Sequence, residues 1–458
     1  MRHVFLFLLA WAMLQDVCAQ APADSLFLRF EGKYREMGNA RGMPAEDIDK
    51  TLKRYHGMKI WSDDDFAGVL SGLFRSGQQI GVLLYFYERD TLYAKFFAPG
   101  RNRKVEELRT AVSIDSLVHL AQQLREALNL DKARQGRVPE VRGIRPPARD
   151  PLPALSLDSA TALLSRLLLP PALDSSYRHL MIIPCLNLGA LPFALLRCPG
   201  DRQLLIDRCS ISMAPTLVDF LYLRGALLEK SSNWDGSLFT ERYFFEKEAR
   251  LPFERPLFVC NPMYPDDASI HFPNLPGAER EIDSALRYAS SYRLLKGASA
   301  TKPAVLKAMS GSDVVYFATH GMADEVQPME RSYLVLSGKD PYLTSREIQN
   351  LRYDSTYQAP ALVILSACQT GLGRSMEGGI AGSLARSFLI SGSLHVVQSL
   401  WNVDDDATAY LMSRLLYYLN EGARFLPAGA LRLAMLDTRR RYPSPAYWAS
   451  FCTIGADY

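Results

Sequence analysis

Residues 363–373 read VILSACQTGLG. The apolar run that starts at Ala361 is a buried strand, and it runs into a glycine-rich turn with Cys368 at its tip. A cysteine in the middle of an apolar strand is usually a small, inert core residue. One just past the carboxyl end of a strand in an open α/β sheet stands where such folds keep their chemistry. Residues 313–321, DVVYFATHG, repeat the arrangement and deliver His320 followed by Gly321. Both segments are nearly continuous apolar runs, as central parallel strands are. The separation of 48 positions from His320 to Cys368 leaves room for a hairpin and a crossover helix, so the two strands are expected to be neighbours.

Working outward, the carboxyl half alternates strand and helix patterns in the way that builds a parallel sheet. Strands are expected at Leu257–Cys260, Tyr292–Leu295, Asp313–Ala318, Ala361–Ala367 and His395–Leu400. Helices are expected at Gly277–Ala289, Lys302–Met309, Ser345–Asn350, Gly379–Ser391, Asp406–Leu419 and Ala428–Arg440, with a short run, YWASFCTIG, after the last. Right-handed crossovers gather the carboxyl ends of the strands on one edge. Upstream, GVLLYFYERDTLYAKFFAPG has two aromatic and β-branched runs around a polar ERD, a hairpin pattern. Ser116–Leu130 and Leu157–Leu169 have helical spacing, and HLMIIP reads as a strand. Arg134–Pro153 is the plainest linker, and Lys230–Pro256 is similar in character. No sustained internal repeat is present.

The chain has 458 residues, of which 48% are hydrophobic and 22% charged, the balance of a globular protein with a sizeable core. A net charge of +3 gives no ground for a nucleic-acid or anionic-membrane partner. The first residues, MRHVFLFLLAWAMLQDVCAQAPADS, have a basic start, an apolar run from Val4 to Leu14 and small residues at Ala19 and Ala21. That is the pattern of a secretory signal peptide over residues 1–21, and the apolar run is too short to span a bilayer. Export to the periplasm or beyond is therefore expected, with no membrane span once the signal is removed. Of the seven cysteines, six follow the signal, and none forms a CxxC pair, so no metal knuckle is expected. Cys260 and Cys452 follow apolar runs and read as core residues, whereas Cys198 and Cys209 are near enough in sequence to leave a bridge open.

A thiol is mostly protonated at neutral pH, so a nucleophilic Cys368 needs an imidazole to take or share its proton. His320 is the imidazole at the matching strand end. Glycines there let backbone N–H groups approach a developing oxyanion, and those of Gly321 and Cys368 are the natural donors. The order His then Cys, at this distance, resembles the spacing of caspase dyads.

The resemblance extends further. LPGAEREID (Leu275–Asp283), DVVYFATHG, LTSREI (Leu343–Ile348) and VILSACQTGLG, in that order, are similar to the CHAT family, caspase-like domains of the caspase, gingipain and separase clan. The stretch Gly378–Met412 and the terminal YPSPAYWASFCTIG continue the resemblance, and upstream LLYFYERDTLYAKFF and HLMIIPCLNLGALPFALL belong to it as well. It implies an α/β fold with a caspase-like, parallel-rich sheet, helices on both faces and a degenerate α/β lobe in front. The resulting domains are an amino-terminal segment of unclear role (22–80), a pseudo-peptidase-like part (81–256) and a catalytic part (257–458). It also implies a cysteine endopeptidase with His320 as base and Cys368 as nucleophile, needing no metal or organic cofactor.

In that clan the strand after the nucleophile's helix leads to substrate-binding residues, here VVQSLWNVDDD. Ser399 and Trp401 are expected to add substrate backbone as an extra strand. Asp404 and Asp405 are expected to favour a basic side chain, unless the acidic run only caps the next helix, which Asp406 suits best. The partners implied are a protein or peptide substrate and an activating protein that relieves latency. The chain departs from the family's usual pattern at Gln369, in PCLNLGALPF and in lacking a tetratricopeptide-repeat arm. The rival reading is a catalytically silent CHAT-fold scaffold that binds a partner strand. A nucleotide-binding reading fails because no G-x-G-x-x-G follows the first strand.

Overall fold

A computed structural model describes residues 26–40, 43–56, 62–73, 79–98, 105–128, 155–171, 173, 177–186, 188–200, 203–221, 223, 251, 253–265, 272–324, 327–366, 384–401, 404–421 and 426–455. The signal region, the Arg134–Pro153 linker, most of the Lys230–Pro256 linker and Cys368 lie outside the described residues. The chain divides into two compact units, residues 1–78 with 100–103, and the remainder. Among its described residues the first contains three helices, α1 (Leu26–Ala40), α2 (Ala45–His56) and α3 (Asp63–Leu73), with Tyr34, Ile48, Leu52 and Phe66 buried.

The second unit is built on an 11-stranded mixed sheet in the order β3-β2-β1-β4-β5-β14-β13-β12-β8-β6-β7. Its first part comprises β1 (Ile80–Glu88), β2 (Thr91–Phe97), β3 (Glu106–Ala111), β4 (His179–Ile183) and β5 (Ser210–Met213). The β1–β2 hairpin turns on Arg89 and Asp90, at φ 48° and 54°. Two left-handed residues in a two-residue loop match the twist of the strands they join. Helices α4 (Ile114–Ala127) and α5 (Leu157–Leu168) lie between β3 and β4, each capped by a serine, Ser113 or Ser156. The buried Tyr85 hydroxyl donates to Leu168 O at 2.8 Å and ties β1 to α5.

The second part follows the expected alternation: β6 (Leu257–Pro262), α6 (Pro276–Leu286), β7 (Arg293–Gly297), α7 (Lys302–Met309) and β8 (Val314–Ala318). A three-stranded sheet of β9 (Gly321–Met322), β10 (Tyr333–Val335) and β11 (Tyr342–Thr344) then leads into α8 (Ser345–Asn350). Next come β12 (Leu362–Leu365), α9 (Leu384–Ile390), β13 (His395–Ser399), α10 (Asp405–Leu416), α11 (Pro427–Arg441), α12 (Pro445–Trp448) and β14 (Phe451–Gly455). The chain steps outward from β6 to β7 and back past β6 to β8. Right-handed crossovers in opposite directions put α6 and α7 on opposite faces. Accordingly α6 packs with α10 and α10 with α11 on one face, while α8 packs with α9 on the other. The parallel-rich sheet with helices on both faces is as expected.

β8 and β12 are buried along their whole length and pair in parallel, Leu365 opposite Phe317, so the two strands are neighbours as their spacing required. The terminal run YWASFCTIG begins in the last residues of α12 and contains β14, and β14 is the strand that makes one sheet of the two parts. It pairs antiparallel with β13 from His395 to Ser399, and Ile454 meets Met213 of β5. A buried ion pair crosses the same seam, Arg386 Nε of α9 to Asp219 Oδ2 at 3.0 Å. Cys260 and Cys452 are buried, and burial pushes both thiols up to about 12, the protonated, inert state of core cysteines. Cys209 is a buried thiol of the same kind, with Cys198 near it.

Candidate active site

β8 ends at Ala318, and the next three residues turn the chain into the small sheet. Thr319 Oγ donates to Val335 O at 2.6 Å, and Val335 N–H donates to His320 O at 2.9 Å. These bonds fix where the His320 backbone leaves the main sheet. Gly321 is paired opposite Leu334, the position next to the His320–Val335 bond in an antiparallel ladder. Alternation along that ladder turns the Gly321 N–H away from β10, off the edge of the small sheet.

The half-buried imidazole of His320 stands between Tyr264 and Phe272, with ring centroids 4.7 and 5.5 Å away. Its Nε2 lies 2.8 Å from Pro273 O. A carbonyl can only accept, so Nε2 carries the proton of the neutral ring and Nδ1 is the basic nitrogen. Burial among these groups lowers the pKa of His320 below its ordinary value, and the Pro273 carbonyl opposes that shift without overcoming it. At neutral pH the ring is therefore a neutral base.

The neighbouring strand end is held from beneath. Ser366 N–H donates to Phe317 O at 2.9 Å, placing Ser366 beside the last residues of β8, two positions before Cys368 in sequence. The Ser366 hydroxyl bonds to Glu281 of α6, and the Tyr316 hydroxyl donates to the same carboxyl. Glu281 is buried, and desolvation pushes its pKa up to about 7 against the effect of both hydroxyls. The motif LPGAEREID was legible as a family signature, but the role of Glu281 was not, because nothing in the sequence pairs it with Tyr316 or Ser366.

The residues expected to bind substrate are placed as follows. β13 is an interior strand, paired with β12 through Gln398 and with β14 through Ser399, and Leu400 N–H donates to Ser450 O at 2.6 Å. This corrects the expectation of an open edge at Ser399 and Trp401, since β14, unread in the sequence, covers that side. Trp401 is 4% exposed, and its indole N–H donates to Ala446 O at 2.9 Å, so the ring is part of the core. Asp404, not Asp406, caps α10, accepting from the N–H groups of Asp406 and Ala407 at 3.0 and 3.2 Å. Asp405 and Asp406 lie in the first turn with Arg280 of α6 at 3.4 and 3.7 Å. All three carboxylates are exposed. Among the described residues no group of three His, Cys, Asp or Glu side chains could hold a metal ion, and no helix is long and apolar enough to cross a membrane.

The chain is similar to several known proteins. The chain is 22% identical over 319 residues to tetratricopeptide repeat protein 28 of Mus musculus, covering 61% of this chain. It spans only 12% of the length of that relative. Among solved structures it is similar to the Saccharomyces cerevisiae separase–securin complex, at 15% identity and a TM-score of 0.48, covering 91% of this chain and 33% of that one. It is also similar to the Arg-specific cysteine proteinase gingipain R, at 9% identity and a TM-score of 0.41, covering 62% and 64% of the two chains. The profile of the CHAT domain matches residues 157–456, most of the sheet and both strands that lead to His320 and Cys368, and the chain belongs to the CHAT domain family.

Proposed function

We propose that the protein is a cysteine endopeptidase working through a His320–Cys368 dyad. The observation that carries the reading is the Pro273 carbonyl on His320 Nε2, which leaves Nδ1 as a neutral base at the carboxyl edge of β8, beside the strand that leads to the thiol. In the proposed reaction Nδ1 takes the thiol proton and Sγ attacks the substrate carbonyl. The N–H groups of Gly321 and Cys368 donate to the resulting oxyanion. Nδ1 passes its proton to the leaving amine, and water, activated by the same nitrogen, hydrolyses the acyl-enzyme.

Cleavage after basic residues is the finer part of the proposal. It rests on exposed Asp404 and Asp405 just beyond β13, on the edge to which β8 and β12 also lead. An activating protein partner belongs to the same reading. Incubation with an unfolded protein, and sequencing of the fragments, tests it: cuts after Arg or Lys that vanish in Cys368→Ala support the proposal. An intact substrate, with and without limited self-cleavage, favours the scaffold.

A further inference from the structure

Strand β6 ends in an irregularity. Its register with β7 shifts between Cys260 and Pro262, and the residue in between, Asn261, has φ 39°. A bulge inserts a residue and re-aims its side chain, often beside an active site. Left-handed backbone is uncommon for any residue with a Cβ, and asparagine is among those that tolerate it best. Such a conformation is strained and persists only where the surroundings hold it.

The bulge aims the buried Asn261 side chain at one short segment. Oδ1 accepts the Leu275 N–H at 3.0 Å, and Nδ2 donates to Asn274 Oδ1 at 2.8 Å and to Glu279 Oε1 at 2.9 Å. Lys296 Nζ, 2.8 Å from Glu279 Oε2, holds that carboxylate in place and below its usual pKa range. Every partner of the amide thus lies within residues 274–279, immediately after Pro273. Pro273 is exposed, and its carbonyl is the acceptor for His320 Nε2. The direction of that carbonyl depends on how the residues after it are held, and Asn261 bonds to three of them.

We propose that Asn261 is a positioning residue for His320: by clamping residues 274–279 it aims the Pro273 carbonyl, which sets the tautomer and orientation of the ring. Its consequence for rate rests on the peptidase reading, whereas its consequence for the ring does not. Asn261 bonds to that segment and not to the imidazole, so it acts on the ring through Pro273.

The test is Asn261→Gly in the full chain, because glycine suits the left-handed backbone and offsets part of the loss of the hydrogen bonds. Nitrogen-15 NMR of His320 should show the Nε2–H form giving way to a mixture of tautomers. Its pKa should fall further, since the carbonyl is what raises it. Peptidase kcat should drop about 10- to 100-fold with KM changed much less, the scale of a misaligned general base. Asn274→Ala, at an exposed position, should move the same signals in the same direction by less and serves if the glycine variant does not fold. An unchanged tautomer and pKa in a folded variant would overturn the proposal, as would activity lost only in step with the unfolded fraction. If the wild-type protein cleaves nothing, the NMR signals still decide the role of Asn261, so the two readings fail separately.

Discussion

The carboxylate of Asp405 occupies the space in which a side chain at position 277 would begin. Gly277 is the second residue of α6, and Asp405 is the first of α10, so the missing Cβ is what allows the two helices to approach at this point. The Arg280 contact alone would not hold them, because ion pairs as exposed as this one contribute little. The proximity also bears on Glu281, whose carboxyl feels the Asp405 charge as a further reason to stay protonated.

Gly277→Ala is therefore expected to destabilise the protein by about 1–2 kcal/mol, despite the gain in helix propensity, because Asp405 must swing away or the helices must separate. Asp405→Ala in the same chain should recover most of the loss. Urea unfolding of the two single variants and the double variant measures the coupling directly.

Glu281 makes stability fall as pH rises. An unfolded carboxyl titrates near 4.5, while the folded one holds its proton to about 7. Between those values the native state binds more protons than the unfolded state, so stability is lost across that window and levels off above it. The span corresponds to about 3 kcal/mol at most. Glu281→Gln keeps an acceptor for Tyr316 and removes the titration. Its melting temperature should lack this decline and exceed that of the wild type at pH 8.

His320 titrates in the opposite sense. Its folded pKa lies below the ordinary 6.5, so protonation costs stability as pH falls from 6.5 through the folded value. In Cys368→Ala, where no thiolate can pair with the ring, NMR titration should place the inflection below 6.5. A value above 6.5 would mean that a negative charge, not burial, governs the ring.

Asp404 allows structure and selectivity to be separated. Asp404→Ala removes the cap of α10 and should cost about 1 kcal/mol. Asp404→Ser keeps a capping oxygen and removes the charge. If Asp404 recognises basic side chains, the serine variant retains stability and loses the preference for Arg and Lys in a peptide panel.

Much of this was legible because local signals agreed with the global fold. α7 and α8 match their expected bounds, for Thr301 caps one and Thr344 with Glu347 forms a capping box on the other. The strands to His320 and Cys368 could be read because apolar residues on both faces leave no other use for them. β3, EELRTA, is a partly exposed strand at the sheet's edge with no apolar alternation, and β5, SISM, has only four residues. β14 is short and follows a tryptophan-containing helical turn, so its run carried no clear period. That miss led to the mistaken open edge at β13. Asn261 carried a weak signal, an Asn-Pro pair closing an apolar strand, but its target lies 13 to 18 residues away and only the fold brings it near.

The proposed function stands on a nucleophilic Cys368 served by His320. The most direct measurement is labelling of the purified protein by peptidyl acyloxymethyl ketones bearing Arg, Lys, Leu or Asp at the reactive end, under reducing conditions, with mass spectrometry of the adduct. A single adduct on Cys368 is expected, formed fastest with Arg or Lys, slowed at least about 100-fold in His320→Ala and absent in Cys368→Ala. No adduct on Cys368 with any of the four, or equal labelling with and without His320, would contradict it.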